Sequence, residues 1–251
     1  MYKQVTALTT IASSLFLSTA GAHAATLIHA YDFNLDSSDS IGDAHGQLVG
    51  NAVIQDGELV LDAQASFLQF NSAIVPTLDS YSFSFDVTRT IDQSNQYIEY
   101  ISQGNASAGL FFGTIPNGQT RMGLHPSSNM GPQAWNTGAT AGPLGEQVQY
   151  TITYDHSVKQ SKLFVNGQLL ETYALSVGLG AIQGNTRLGA QYESHGEYFA
   201  GRIDNFKVFE GALTTKEVSQ LAAPVPEPST YAMVLFGLAT VALSRRAASK
   251  A

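Results

Sequence analysis

Residues Tyr81 to Thr88 alternate between aromatic or aliphatic and small or polar side chains, reading Tyr-Ser-Phe-Ser-Phe-Asp-Val-Thr, and Val148 to Asp155 repeat the pattern. A period of two puts one set of side chains on each face of a pleated strand, so both segments predict half-buried β-strands. Shorter runs of this kind lie at 27–33, 58–62, 67–70, 96–102, 110–113, 121–124, 162–165, 168–173, 187–191 and 202–209. Gly, Asn, Asp and Pro separate them, as turns require. Asn166-Gly167 is the clearest hairpin signal, because a type I′ turn needs positive φ at both central residues. Helical periodicity is nearly absent. One short helix is marked by Thr214 and Glu217, a Thr-x-x-Glu capping box, with Leu213 and Val218 placed as a hydrophobic staple. Many short strands and one closing helix predict an all-β, two-sheet antiparallel jelly-roll sandwich. The stretch from Pro126 to Gly145, rich in Gly, Pro, Asn and Ser, reads as its longest irregular loop.

Both ends of the chain break this pattern. Met1, Tyr2 and Lys3 precede an apolar stretch from Val5 to Leu17, and Ala22-His23-Ala24 follows as a small-x-small cleavage site. This is the build of a secretory signal peptide over residues 1–24. At the other end, Pro224, Pro226 and Pro228 make an extended linker that cannot continue a helix. Tyr231 to Leu243 then runs thirteen residues without a charge before Arg245, Arg246 and Lys250. A crossing of the hydrocarbon core takes about 20 helical residues, so this apolar helix spans only with help from its flanks. The expected organisation is a signal peptide at 1–24, one sandwich at 25–223 and a C-terminal segment at 224–251.

Composition narrows the chemistry. From Ala25 to Ala223 there are eight Lys and Arg against nineteen Asp and Glu, a net of −11 with His neutral, which disfavours nucleic acid and anionic membranes as partners. The chain has no cysteine, hence no disulfide, thiolate nucleophile or thiolate metal site. No Gly-x-Ser-x-Gly and no His-x-x-x-His occurs.

The C-terminal elements Val225-Pro226-Glu227-Pro228-Ser229-Thr230, a short apolar span and Arg245-Arg246 resemble the PEP-CTERM sorting signal of Gram-negative bacteria. The resemblance implies cutting near Pro226-Glu227-Pro228 by an exosortase-type membrane protease, after signal peptidase has acted, and delivery to the cell surface or extracellular matrix. In the body, Tyr31-Asp32-Phe33-Asn34, Tyr150 to Asp155 with Leu163 to Gln168, and Phe199 to Phe209 followed by Ala212 to Val218 resemble the LamG-like jelly rolls of the concanavalin A-like lectin/glucanase superfamily. That resemblance implies the same sandwich, a role in glycan binding or hydrolysis, and a structural Ca²⁺ in many relatives.

Candidate sites follow. Retaining glycoside hydrolysis needs two carboxylates about 5 Å apart, which the glucanase branch supplies as Glu-x-Asp-x-x-Glu. No such triplet exists; Glu193 and Glu197 come nearest and read as solvated loop residues. Asp32, Asn34, Asp36, Asp39 and Asp43 gather oxygen ligands suited to Ca²⁺, without the glycine or flanking helices of an EF-hand. The plainer reading is a polar turn whose side chains bond their own backbone. Alternation places Asp204 on the face of Phe206 and Val208, where a carboxylate needs N–H donors or a metal, so it joins Asp32, Asn34 and Asp36 as a candidate ligand. For a saccharide, Trp135 offers a stacking ring, with Arg121, His125, Asn129 and Gln133 as polar contacts, or else packs within its loop. Tyr192, His195 and Tyr198 form a second cluster. Two functions remain: a non-catalytic exported module that binds glycan or exopolysaccharide or acts structurally in the matrix, and a hydrolase or lyase with an unrecognised site. The signal-peptide assignment expects N-terminal sequencing of the exported protein to begin at Ala25; a start at Met1 would refute it.

Overall fold

The computed structural model describes residues 24–223 apart from Ala106, 126–132 and His195, with the backbone alone for 133–137 and Ser194. The proposed signal peptide and sorting segment lie outside the described residues. In chain order the strands are β1 (Thr26–Tyr31), β2 (Gln47–Val49), β3 (Val53–Gln55), β4 (Glu58–Asp62), β5 (Phe67–Phe70), β6 (Tyr81–Arg89), β7 (Ile98–Asn105) and β8 (Ala108–Thr114). They continue as β9 (Gln119–His125), β10 (Gln133–Thr140), β11 (Gln147–Asp155), β12 (Gln160–Val165), β13 (Gln168–Ala174), β14 (Asn185–Leu188) and β15 (Ala200–Glu210), and α1 (Thr215–Leu221) closes the domain.

All pairings are antiparallel, and they form two sheets. The first runs β13-β12-β11-β6-β15-β4-β3, with β1 paired to the C-terminal half of β15; the second runs β10-β9-β8-β7-β14-β5-β2. This is the expected sandwich. Its core is aromatic: Phe85 of the first sheet lies 6.2 to 6.4 Å, centroid to centroid, from Tyr100, Phe112, Tyr150 and Phe206. Each such pair adds about 0.5–1.5 kcal/mol to the burial of its rings. At one end of the core, Gln103 is fully buried and fully paired. Its Oε1 accepts from Ile74 N–H, Val75 N–H and the Thr186 hydroxyl, while its Nε2 donates to the carbonyls of Val75 and Ile182, which ties two long loops to β7.

The hairpin and the helix match their signals. Asn166 and Gly167 have φ of 48° and 77°, and Thr214 and Glu217 complete both halves of the capping box. Leu213 and Val218 pack on Phe164 and Phe209 in a small second core on the outer face of the first sheet. Among the described residues no helix is long and apolar enough to cross a membrane.

Two expectations need correction, and two strands were not anticipated. The supposed loop from Pro126 to Gly145 contains β10, an edge strand paired to β9 alone, whose sequence, Gln-Ala-Trp-Asn-Thr-Gly-Ala-Thr, carries no alternation. β2 and β3 are three residues each, too short to show a period. Asp204 does not share a face with Phe206: the pairing of β15 with β6 shifts between Asp204 and Lys207, and Asn205 sits there at φ 50°. This bulge inserts one residue, so Ile203, Phe206 and Val208 enter the core while Asp204 faces outward, half-buried.

The loop between β1 and β2 folds around a single carboxylate. Asp39 accepts the N–H groups of Ala30, Ile41 and Ala44 and the Nδ1–H of His29. Burial pushes its pKa up, but donors from Gly42, His29, Ala30 and Ile41 outweigh that and hold it at about 2, against an ordinary 3.8. A depressed folded value means the contribution is present above the unfolded value and is lost as pH falls through the folded one; here it amounts to about 2 kcal/mol. Asp39→Asn is expected to lower the unfolding free energy by about 2 kcal/mol near neutral pH in urea titrations. The gap between the two proteins should close from about pH 4 to about pH 2, and a gap that persists unchanged would rule this account out.

Candidate site on the outer face of the second sheet

Strands that send Ile98, Phe112 and Met122 into the core must send their neighbours outward. Register then decides which neighbours meet. Glu99 of β7 pairs with Gly113 of β8, and Gly113 pairs with Arg121 of β9, so the three form one row across the sheet. Only glycine fits the middle of that row, because a Cβ there would stand 1.9 Å from the Ile98 carbonyl oxygen. Arg121 reaches across β8, and its Nη2 lies 2.8 Å from Glu99 Oε1 and 3.4 Å from Glu197 Oε2.

The guanidinium carbon lies 4.4 Å from the ring centroid of Phe111 and 4.9 Å from that of Tyr97. Phe111 in turn lies flat over Gly123, whose hypothetical Cβ would be 1.8 Å from the ring. Tyr192 covers Gly109 in the same way, at 2.5 Å. Two glycines therefore make floor space for two rings. Close by, Arg187 lies 4.6 Å from the ring centroid of Phe67, and Phe67 stacks on Tyr198. Tyr97 is 47% exposed, whereas the side chains of Arg121 and Glu197 are 16% and 22% exposed, so an open aromatic and polar surface lies above a fixed base.

Electrostatics set the charges. Glu99 is buried completely, and its pKa is raised well above 4.5, first by burial and then by the adjoining Glu197 carboxyl, against the opposing pull of Arg121. His125 is pushed down by burial and by Arg121, and Tyr192 is pushed up by burial and by Glu99, Glu193 and Glu197. Glu99 Oε1 and Glu197 Oε2 share one Arg121 nitrogen, at 2.8 and 3.4 Å.

Of the residues singled out in the sequence, Arg121, His125 and Tyr192 come together on this face. Trp135 lies on β10 rather than in a loop, in register with Met122, while Asn136 is in register with Arg121. Asn129 and His195 lie outside the described residues. Glu197 is not a solvated loop residue; it is half-buried against Arg121, while Glu193 is exposed. Sequence reading missed Glu99, Tyr97 and Phe111. Glu99 was visible as the polar position between Ile98 and Tyr100, but its partner depends on the register of β8.

Three of the candidate calcium ligands already accept hydrogen bonds from the protein. Asp32 Oδ1 and Asp36 Oδ1 accept the N–H groups of Asn34 and Ser38, which makes them turn residues. Asp204 is raised to about 6 by burial and by Asp86, Glu58 and Asp32, but Asn205 Nδ2 donates to both Asp86 and Asp204, occupying with a donor the position a cation would take. Among the described residues no three His, Asp or Glu are grouped to hold a metal.

Two antiparallel sheets packed face to face around one aromatic core define a jelly-roll sandwich. The chain belongs to the concanavalin A-like lectin/glucanases superfamily, whose family model Laminin_G_3 matches residues 62–219. The PEP-CTERM protein-sorting motif matches residues 224–248, which marks the chain for export and membrane-linked surface sorting in Gram-negative bacteria, with processing by an exosortase. Among solved structures, domain 4 of AbnA, a GH43 extracellular arabinanase from Geobacillus stearothermophilus determined in complex with arabinotriose, is 24% identical with a TM-score of 0.63, covering 80% of this chain and all of that one. The receptor-binding domain of botulinum neurotoxin C/D mosaic serotype is 17% identical with a TM-score of 0.64, covering 78% of this chain and 51% of that one. This chain thus spans about half of the toxin domain. No curated protein matches it.

Gly123→Ala is expected to push the Phe111 ring off the sheet and lower the unfolding free energy by about 1–3 kcal/mol, the usual range for overpacking. Chemical denaturation that shows no loss would mean the ring has another place to lie.

Proposed function

We propose that the protein is an exported, non-catalytic module that binds glycan or exopolysaccharide at the cell surface or in the extracellular matrix, through the face around Arg121. The observation that carries this reading is the guanidinium of Arg121, held by Glu99 and Glu197 and laid over Phe111 beside the half-exposed ring of Tyr97. Saccharides bind such surfaces by stacking their C–H faces on rings while their hydroxyls pair with fixed polar groups. The arabinotriose held by domain 4 of AbnA on a similar fold supports a saccharide ligand. The full burial of Glu99, which keeps its carboxyl from a sugar on the open face, supports binding over hydrolysis.

Position supports the reading too. α1 packs on the first sheet, so the chain leaves toward its sorting segment from the side opposite Arg121. A tethered or matrix-bound protein would keep the second sheet free. The net −11 of the body favours a neutral polymer over a polyanionic one.

Tyr97→Ala tests the face with little risk to folding, since the ring is half in water. Retention on an array of neutral oligosaccharides that includes arabinotriose should fall about tenfold with the thermal midpoint unchanged. Unaltered retention would place the site elsewhere. Release of reducing ends from any bound glycan would make the protein an enzyme and overturn the non-catalytic part.

A further inference from the structure

We propose that Glu99 and Glu197 hold one proton between them, and that glycan capture on this face requires it. The first half stands on the geometry of the buried pair; the second half rests on the binding reading above. Glu99 Oε1 receives Arg121 Nη2 at 2.8 Å, but Oε2 is buried and meets no donor from the protein. What stands beside Glu99 is the carboxyl of Glu197, itself 3.4 Å from the same Arg121 nitrogen. One guanidinium cannot neutralise two carboxylates, and a fully buried glutamate cannot keep an unmatched charge. A single proton resolves both problems: the Oε2–H of Glu99 donates to Glu197, and the pair carries one negative charge opposite one positive charge.

The proton also holds the surface in place. Glu197 lies on the segment that joins β14 to β15, which carries Tyr192 and Tyr198 and bends through positive φ at Glu193 (58°), Gly196 (89°) and Glu197 (55°). A non-glycine residue at positive φ is strained and persists only where contacts enforce it. The contacts here are the Glu99 N–H to the Glu197 carbonyl at 2.9 Å, the Gln93 amide to the Tyr198 carbonyl at 2.9 Å, and the shared proton. Without the proton, two carboxylates in contact repel, and Glu197 is the one free to swing toward water, because its side chain is 22% exposed and that of Glu99 is not exposed. Tyr192 and the second anchor of Arg121 would move with it.

The groups that face the pair are Arg121 and, beyond it, His125 from β9, Tyr192 and Glu193 from the turn after β14, and Tyr97 ahead of β7. Burial and Arg121 push His125 below its ordinary value, so it is neutral on the alkaline side of neutrality, and burial pushes Tyr192 above its own, so it keeps its proton through the same range. For Glu99 the folded value is raised, so its contribution to stability is present below the unfolded value of 4.5 and is lost as pH rises through the folded one.

The test uses the processed protein and its Glu99→Gln and Glu197→Gln variants. Infrared difference spectra, wild type minus Glu99→Gln, cancel the carboxyl of Asp204, which titrates at about 6, and should show a protonated-carboxyl stretch near neutral pH that fades as pH rises. A difference spectrum without that stretch overturns the shared proton. Binding of arabinotriose and a panel of neutral trisaccharides is then followed from about pH 5 to about pH 10. Wild-type affinity should fall about tenfold in step with the infrared band, whereas Glu99→Gln, which carries its hydrogen permanently, should show a flat profile at whatever level it binds. A flat wild-type profile overturns the requirement. Absence of binding at every pH refutes the glycan reading, while the infrared band still decides the proton. If Glu99→Gln does not fold, Glu197→Gln and the wild-type titration decide both halves of the proposal.

Discussion

The two-residue period of the strands, locked by the aromatic core around Phe85, governs what the outside of this sandwich can present. Once Phe112 and Met122 are seated in the interior, Phe111, Arg121 and Gly123 have only the outer face available. A slip of one residue in β9 would exchange Arg121 with Met122, burying a cation and exposing a core side chain. The candidate site therefore inherits its precision from packing that lies on the other side of the sheet. Its glycines belong to the same constraint, since a side chain at Gly109 or Gly123 would collide with the rings of Tyr192 or Phe111, and one at Gly113 with the backbone of β7.

Buried and half-buried carboxylates are handled in three different ways in one small domain. Asp39 is surrounded by N–H donors and is held at about 2. Asp204 has two donors, the N–H and the side-chain amide of Asn205, against three acidic neighbours, and is raised to about 6. Glu99 has one guanidinium that it shares with the Glu197 carboxyl, in full burial, and is raised well above its ordinary value. The side-chain chemistry is nearly constant across the three; the ratio of donors to competing acids, together with exposure to water, sets the outcome. Asp39 thus serves as a structural anchor, while Glu99 and Glu197 are the carboxyls whose state bears on an exposed surface.

The two sheets carry different loads. The first packs α1 on its outer face, and the second carries the Arg121 face. The PEP-CTERM motif at residues 224–248 marks the chain for export and membrane-linked surface sorting. Its net negative body and its lack of cysteine agree with a module that relies on a large aromatic core rather than covalent staples.

What the amino-acid sequence determined by itself was everything that local chemistry encodes. Period-two alternation marked β6 and β11, Asn166-Gly167 marked a hairpin, Thr214 and Glu217 marked α1, and Pro226-Glu227-Pro228 with Arg245-Arg246 marked the address. Each is a statement about a few neighbouring residues, which is why it could be read without coordinates. Tertiary structure alone decided which outward residues meet. The row from Glu99 through Gly113 to Arg121 joins positions 22 residues apart, and Glu197 reaches Arg121 across 76 residues. The bulge at Asn205, which turned Asp204 away from the core, likewise depends on how β15 pairs with β6. Strand register is fixed by the summed fit of two sheets around one core, and no short segment carries that sum.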